Sequence, residues 1–155
     1  MEREIAPTAP VRCLVGLRVA AAAFAVDALA VVVVLSGAPP LLPCPRVGSS
    51  AVVGLVEQRG VLIPVVDLRA VFGLADARPS PRGRRVVLRV DGGAFAVAVD
   101  AVTEVFEARR RDLRPVLAGD GSALVRAGWA VGEETALELD VRALAAVVTG
   151  RGGTA

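Results

Sequence analysis

A gapless internal repeat constrains this chain more than any other feature. Val15 to Leu35 aligns on Val86 to Phe106 at an offset of 71 residues, with eleven of the 21 positions identical. Leu17-Arg18-Val19 recurs as Leu88-Arg89-Val90, and Ala23-Phe24-Ala25-Val26 as Ala94-Phe95-Ala96-Val97. Such self-similarity marks a duplicated structural unit. In the second copy, Val86 to Val90, then Asp91-Gly92-Gly93, then Phe95 to Val99 spell strand, glycine turn and strand. The first copy is therefore expected to be a hairpin as well, with Ala20 to Ala22 as a poorer turn.

The repeat decides how to read the most apolar segment. Val19 to Leu35 is nearly all apolar, but it has only 17 residues, follows Arg18 and carries Asp27 near its centre. A spanning helix needs roughly 20 apolar residues, and a central Asp costs about 2.5–3.5 kcal/mol on insertion scales. A buried hairpin followed by a short helical or extended piece is the expectation, with no direct membrane insertion.

Composition then narrows the function. Apolar residues make up 54%, with 16 glycines and 10 prolines, which favours short strands punctuated by turns over a helical bundle. Eighteen basic against sixteen acidic residues leave +2, so no global basic field calls for nucleic acid. Aromatics at 3% are too few for a base-stacking platform. There is no histidine, which removes the commonest general base and metal ligand. Cys13 and Cys44 lie 31 residues apart without a CxxC, so a zinc site is excluded; they read as free thiols in a reducing cytoplasm, with a structural disulfide as the lesser alternative. No cofactor or metal is implied.

The most structured stretch is Gly54 to Gly73. It reads as two short strands turning at Gly60 and running into a short helix, since glycine accepts φ > 0 at little cost. Pro64 interrupts the apolar run Val61 to Val66, placing that strand at an edge or a bend. Asp67 is positioned to cap Leu68 to Phe72, and Gly73 to stop that helix. Asp140-Val141-Arg142-Ala143-Leu144 echoes Asp67-Leu68-Arg69-Ala70-Val71. Leu124 to Val131 is expected to pair with Ala136 to Leu139. Each half is thus hairpin, loop, hairpin and capped short helix. The expected organisation is a tail over residues 1–10, one domain over 11–148 with repeats near 11–80 and 81–148, and a second tail over 149–155.

At this point the pattern resembles the CheW-like adaptor domain. Gly54, Arg59-Gly60, Pro64-Val65-Val66-Asp67-Leu68-Arg69 and Gly73 look like its signature, and the likeness covers roughly residues 11–148. The resemblance implies a mainly β fold of two SH3-like five-stranded barrels. It implies a non-enzymatic scaffold that couples the cytoplasmic tips of chemoreceptors to the regulatory domain of a CheA-type histidine kinase, other CheW-like proteins being further partners. A cytoplasmic location at the periphery of receptor arrays follows from the same likeness. Carried over by position, Arg59 matches an arginine of the coupling region, with Gly54 and Gly60 supporting it. Val31 and Val86 match apolar positions of the receptor-facing groove. The chain departs from the family at Glu57-Gln58, where Asn-Leu is usual, and at Val33, where an acid is common and the duplicate keeps Glu104.

Residue by residue, alternatives stand beside these roles. Arg59 reads equally as a solvated turn residue, and Gly54 and Gly60 as turn chemistry alone. Strand alternation leaves Val31 and Val86 facing either core or groove. The Arg109-Arg110-Arg111 run with Arg114 reads as a solvated loop, with an acidic-partner or a nucleic-acid site as the alternatives. Trp129 reads as packing, and Glu133-Glu134 as exposed turn acids. Without a Ser-His or Cys-His pair, GxGxxG or GxxxxGK[ST], nothing points to catalysis. A stand-alone module that self-associates through Val31 to Leu35 is the second reading.

Overall fold

The computed structural model describes residues 11–36, 40–43, 51–74, 83–116 and 122–149. Both expected tails, apart from Thr149, lie outside these residues, as do Cys44 and most of the linker between the repeats. Thr149 itself closes the last helix, its N–H donating to the Ala145 carbonyl.

The duplicated hairpins form as the repeat requires. The first is β1 (Cys13–Val19) and β2 (Ala22–Asp27), and the second is β6 (Arg84–Val90) and β7 (Gly93–Val99). Both turns contain two residues. Gly92, at the second turn position, supplies the left-handed conformation in one, whereas in the other it falls on Ala20, at the first turn position with φ 55, which carries a strain that glycine avoids. After β2, a 3₁₀ turn at Ala28–Ala30 leads into β3 (Val31–Leu35). The Asp27 carboxylate caps that turn by accepting from the Leu29 N–H. The next hairpin is β4 (Val52–Gln58) and β5 (Val61–Asp67), running directly into α1 (Leu68–Phe72). Asp67 accepts from the Arg69 N–H and Gly73 at φ 64 ends the helix, as its residue types demand. The second half continues with β8 (Ala101–Glu107), the two-residue β9 (Leu113–Arg114), β10 (Val125–Val131), β11 (Glu134–Leu139) and α2 (Val141–Val148).

These strands make one six-stranded sheet, β8-β1-β2-β11-β10-β9, and one five-stranded sheet, β3-β6-β7-β5-β4. The leading hairpin of each repeat therefore sits in the sheet of the other. β2 runs parallel to β11, and β7 parallel to β5, where each exchanged hairpin joins. The crossings are short: Ala28–Ala30 on one side and Asp100 alone on the other.

Burial shows why the duplicated residues are alike. Val15, Leu17, Phe24 and Val26 from β1 and β2 share one core with Val86, Leu88, Phe95 and Val97 from β6 and β7. These four identical pairs thus occupy the layer between the sheets, where two alike apolar faces suit each other. Phe24 also meets Phe72 of α1 with ring centroids 5.1 Å apart. α2 closes the same layer with Leu144 and Val148, one turn apart.

Each sheet also curls over a smaller core of its own. Val33 and Leu35 from one edge strand share a cluster with Val56 from the other edge of the five-stranded sheet. In the larger sheet Phe106 of the edge strand β8 clusters with Trp129 of β10, the strand next to the opposite edge. Side chains bring the edges together, but among the described residues neither sheet closes into a hydrogen-bonded barrel. Pro64 differs from expectation too. β5 is an interior strand, and Pro64 lies just before Val65, where pairing to β7 begins. The missing proline donor is tolerated because the neighbouring ladder has not yet started there.

Candidate partner-binding surface

The β4–β5 hairpin carries three of the five residues singled out from the sequence. Its turn is Arg59-Gly60, between the paired residues Gln58 and Val61. Both residues are left-handed, at φ 52 and φ 79. Two successive positive φ values define the hairpin turn that asparagine or aspartate followed by glycine makes best. Gly60 fits this turn; Arg59 does not, and it holds an exposed side chain in a conformation that the contact of its Cβ with the carbonyl oxygen disfavours. Beside it, Val61 and Leu62 are 59% and 53% exposed, so the hairpin tip presents a cation next to apolar surface.

Gly54 is buried and serves the same edge differently. A Cβ at this position would lie 2.9 Å from the Leu42 carbonyl oxygen and 3.0 Å from the Leu41 Cβ. The absent side chain lets the 40–43 segment cross β4, where Leu42 and Leu55 exchange backbone hydrogen bonds of 2.8 and 2.9 Å. Leu41 and Leu42 remain partly exposed and extend the apolar strip along β4.

The other two residues lie on the far side of this sheet, Val31 on the edge strand β3 and Val86 on its neighbour β6. Val31 is half-buried against the inter-sheet core, opposite Leu88. Val86 is fully enclosed, at 0% exposure, so in this structure it has no surface to offer a partner. Its place on an interior strand, with its side chain directed between the sheets, is the reason. The exposed apolar residues of this edge are Val32 and Val34 on β3. Alternation in an all-apolar run could not reveal them, since every register looks equally buried.

Two ionic networks also escaped the sequence reading. Glu138, 1% exposed on β11, receives hydrogen bonds from Arg12 Nη2 at 2.5 Å and Trp129 Nε1 at 3.0 Å. Arg12 reaches Asp27 as well, at 3.3 Å, and these carboxylates raise its pKa above the ordinary arginine value, hydrogen bonding to Glu138 being the main cause. Arg69 is buried at the start of α1 and pairs with Asp100 at 2.5 Å. Asp100 in turn accepts the Ala20 N–H at 2.7 Å, tying α1 to both duplicated hairpins. The only hint in the sequence is a lone acid inside the apolar run Ala136-Leu137-Glu138-Leu139.

On the surface, Arg18 meets Glu134 at 2.6 Å and holds its carboxyl below the usual range through that hydrogen bond. The Arg109 to Arg114 run is exposed, with Arg109 paired to Glu107. Cys13 is a free thiol. Among the described residues no group of three or more His, Cys, Asp or Glu is placed to hold a metal. No helix among them is long and apolar enough to cross a membrane.

Two curled sheets that exchange their leading hairpins define the class of fold, a mainly β two-sheet module with short capped helices. The comparisons name its kind: residues 14–148 match the CheW-like domain, and the chain belongs to that family. A chemotaxis protein CheW of Rhizobium meliloti (strain 1021) is 32% identical over 104 residues, 67% of this chain. The match spans 66% of that relative's own length. The crystal structure of scaffolding protein TtCheW from Thermoanaerobacter tengcongensis superposes with a TM-score of 0.75, covering 90% of this chain and 91% of that one. At 20% identity that likeness establishes the fold.

Proposed function

We propose that this protein is a chemotaxis-type scaffold, holding the cytoplasmic tip of a chemoreceptor and the regulatory domain of a CheA-type histidine kinase in one assembly. It contributes contacts and no chemistry of its own, and it works in the cytoplasm beside receptor arrays. The observation that carries this reading is Arg59, an exposed arginine kept in a left-handed turn beside Val61 and Leu62. Local strain at an exposed residue is a reason to look for function there, and arginine beside apolar surface is a common interface anchor.

The test is Arg59→Glu, assayed by calorimetric titration against the regulatory domain of the cognate kinase, with circular dichroism as the fold control. The expected result is weakened binding by a variant that stays folded. Binding as tight as wild type would remove Arg59 from the interface.

A second reading rests on β3. This edge strand carries no charge and exposes Val32 and Val34, whereas its duplicate β8 carries Glu104 and Glu107. Unguarded apolar edges favour association through strand pairing. Mass that rises with concentration in light scattering, without kinase or receptor, would favour self-association through this strip.

A further inference from the structure

β4 is an edge strand of the five-stranded sheet, and the segment 40–43 lies along its outer side. Leu42 and Leu55 exchange backbone hydrogen bonds there, at 2.8 and 2.9 Å. We infer that this segment is an autoinhibitory strap, which keeps the β4 edge from pairing with the β4 edge of a second copy of the chain.

The ladder decides which backbone groups such a strap has to cover. Gln58 and Val61 flank the two-residue turn, so they form a hydrogen-bonded pair. Bonded and non-bonded pairs alternate in an antiparallel ladder, which makes Val56 and Ile63 the next bonded pair. Leu55 and Glu57 then turn their N–H and C=O groups away from β5. Leu55 uses both of its groups on Leu42. Among the described residues, nothing outside the hairpin bonds the Glu57 backbone.

These groups suit a second copy. In a two-fold antiparallel pairing centred on Val56, Leu55 of each copy faces Glu57 of the other. Both residues then exchange hydrogen bonds, where the strap satisfies Leu55 alone. In that register Glu57 stands opposite a leucine and not a second carboxylate, so like charges do not oppose the pairing. An uncovered edge of this kind is a template for another strand.

The strap has the composition of a blocker. Pro40 and Pro43 flank Leu41-Leu42 and have no N–H, so the segment neither extends along β4 nor offers a new edge of its own. Gly54 keeps the space it needs, since a Cβ there would lie 2.9 Å from the Leu42 carbonyl oxygen. Leu41 and Leu42 remain 36% and 42% exposed. Their backbone bonds to β4, more than side-chain burial, hold them in place.

The experiment follows amide exchange and solution mass over a concentration series for the wild type and two variants. Leu42→Pro removes the strap's N–H donor at an exposed position outside the named strands, and Gly54→Val drives the strap off from the β4 side. Circular dichroism checks the fold, and Leu42→Pro carries the test if the buried Gly54→Val unfolds. The expected result in dilute variant is faster exchange at the Leu55 amide. As concentration rises, the variant's mass should double and the Leu55 and Glu57 amides should become protected together, Glu57 by roughly tenfold or more. In the wild type the Glu57 amide should exchange fast throughout. The inference is overturned if the Leu55 amide opens and the variant stays a monomer. It is equally overturned if the Leu55 amide keeps its protection in a folded variant, or if Glu57 is already protected in the wild type. Association that protects Val32 and Val34 in place of Glu57 would assign the contact to β3 and remove the strap from it.

Discussion

Replacing Arg59 by asparagine should make the protein more stable and a poorer partner. Arg59 occupies the first position of a two-residue turn at φ 52, followed by Gly60 at φ 79. A left-handed conformation costs an ordinary residue about 1–2 kcal/mol. Asparagine recovers part of that cost, because its short side chain bonds locally and Asn-Gly is a favoured pair for this turn. The side chain it replaces is exposed, so little packing is lost on the free protein. The expected gain is about 0.5–1 kcal/mol, or about 1–4 °C in Tm for a domain of this size. If Arg59 anchors the kinase, its truncation should cost about 1–2 kcal/mol of binding, roughly five- to thirtyfold in Kd. Thermal melts and calorimetric titration on one preparation read both effects. A lower Tm would refute the strain argument. An unchanged Kd would refute the contact role, and the strained arginine would then need another cause.

Other positions test the scaffold itself. Arg12→Gln leaves Glu138 buried with the Trp129 N–H as its remaining partner of the two. Breaking a buried pair costs about 3–5 kcal/mol, and the partial exposure of Arg12 moves the expectation to about 2–3 kcal/mol. Urea unfolding reads it, and a loss under about 1 kcal/mol would show that the network matters little. Gly54→Ala forces its Cβ against the Leu42 carbonyl and should cost about 1–3 kcal/mol, with faster hydrogen exchange at the Leu42 and Leu55 amides. Unaltered exchange there would mean that the crossing segment yields freely. The Glu134 carboxyl, held low by Arg18, titrates below its unfolded value. Its contribution to stability is therefore present above the unfolded pKa and lost as pH falls through the folded one. Arg18→Gln should raise the Glu134 pKa measured by carbon-detected titration, and an unchanged value would remove the pairing.

Much of the architecture was legible because its causes are local. The Asp91-Gly92 and Arg59-Gly60 turns, the Asp67 and Asp140 caps and the Gly73 stop each follow from what a few neighbouring residues can do. The repeat made Ala20 readable as a turn even without a glycine. Of the candidate site, Gly54, Arg59 and Gly60 fall together on one hairpin because they are neighbours in the chain. Val31 and Val86 come onto one ladder only through the pairing of β3 with β6, opposite Leu88 and Val34 respectively, and their exposure depends on which face of that ladder the other sheet covers.

That distinction sets what each level determined. The sequence by itself specified a duplicated mainly β chain, its turns, its caps and the hairpin that presents Arg59. Only the tertiary structure decided that each leading hairpin crosses into the other half's sheet. The same packing closed Val86 into the core, left Val32, Val34 and Leu29 outside, and paired Glu138 with an arginine 126 residues away. The physical reason is range. A turn or a cap is settled by the conformations open to a few adjacent residues, whereas a strand edge and a buried charge find their partners only in the packed fold.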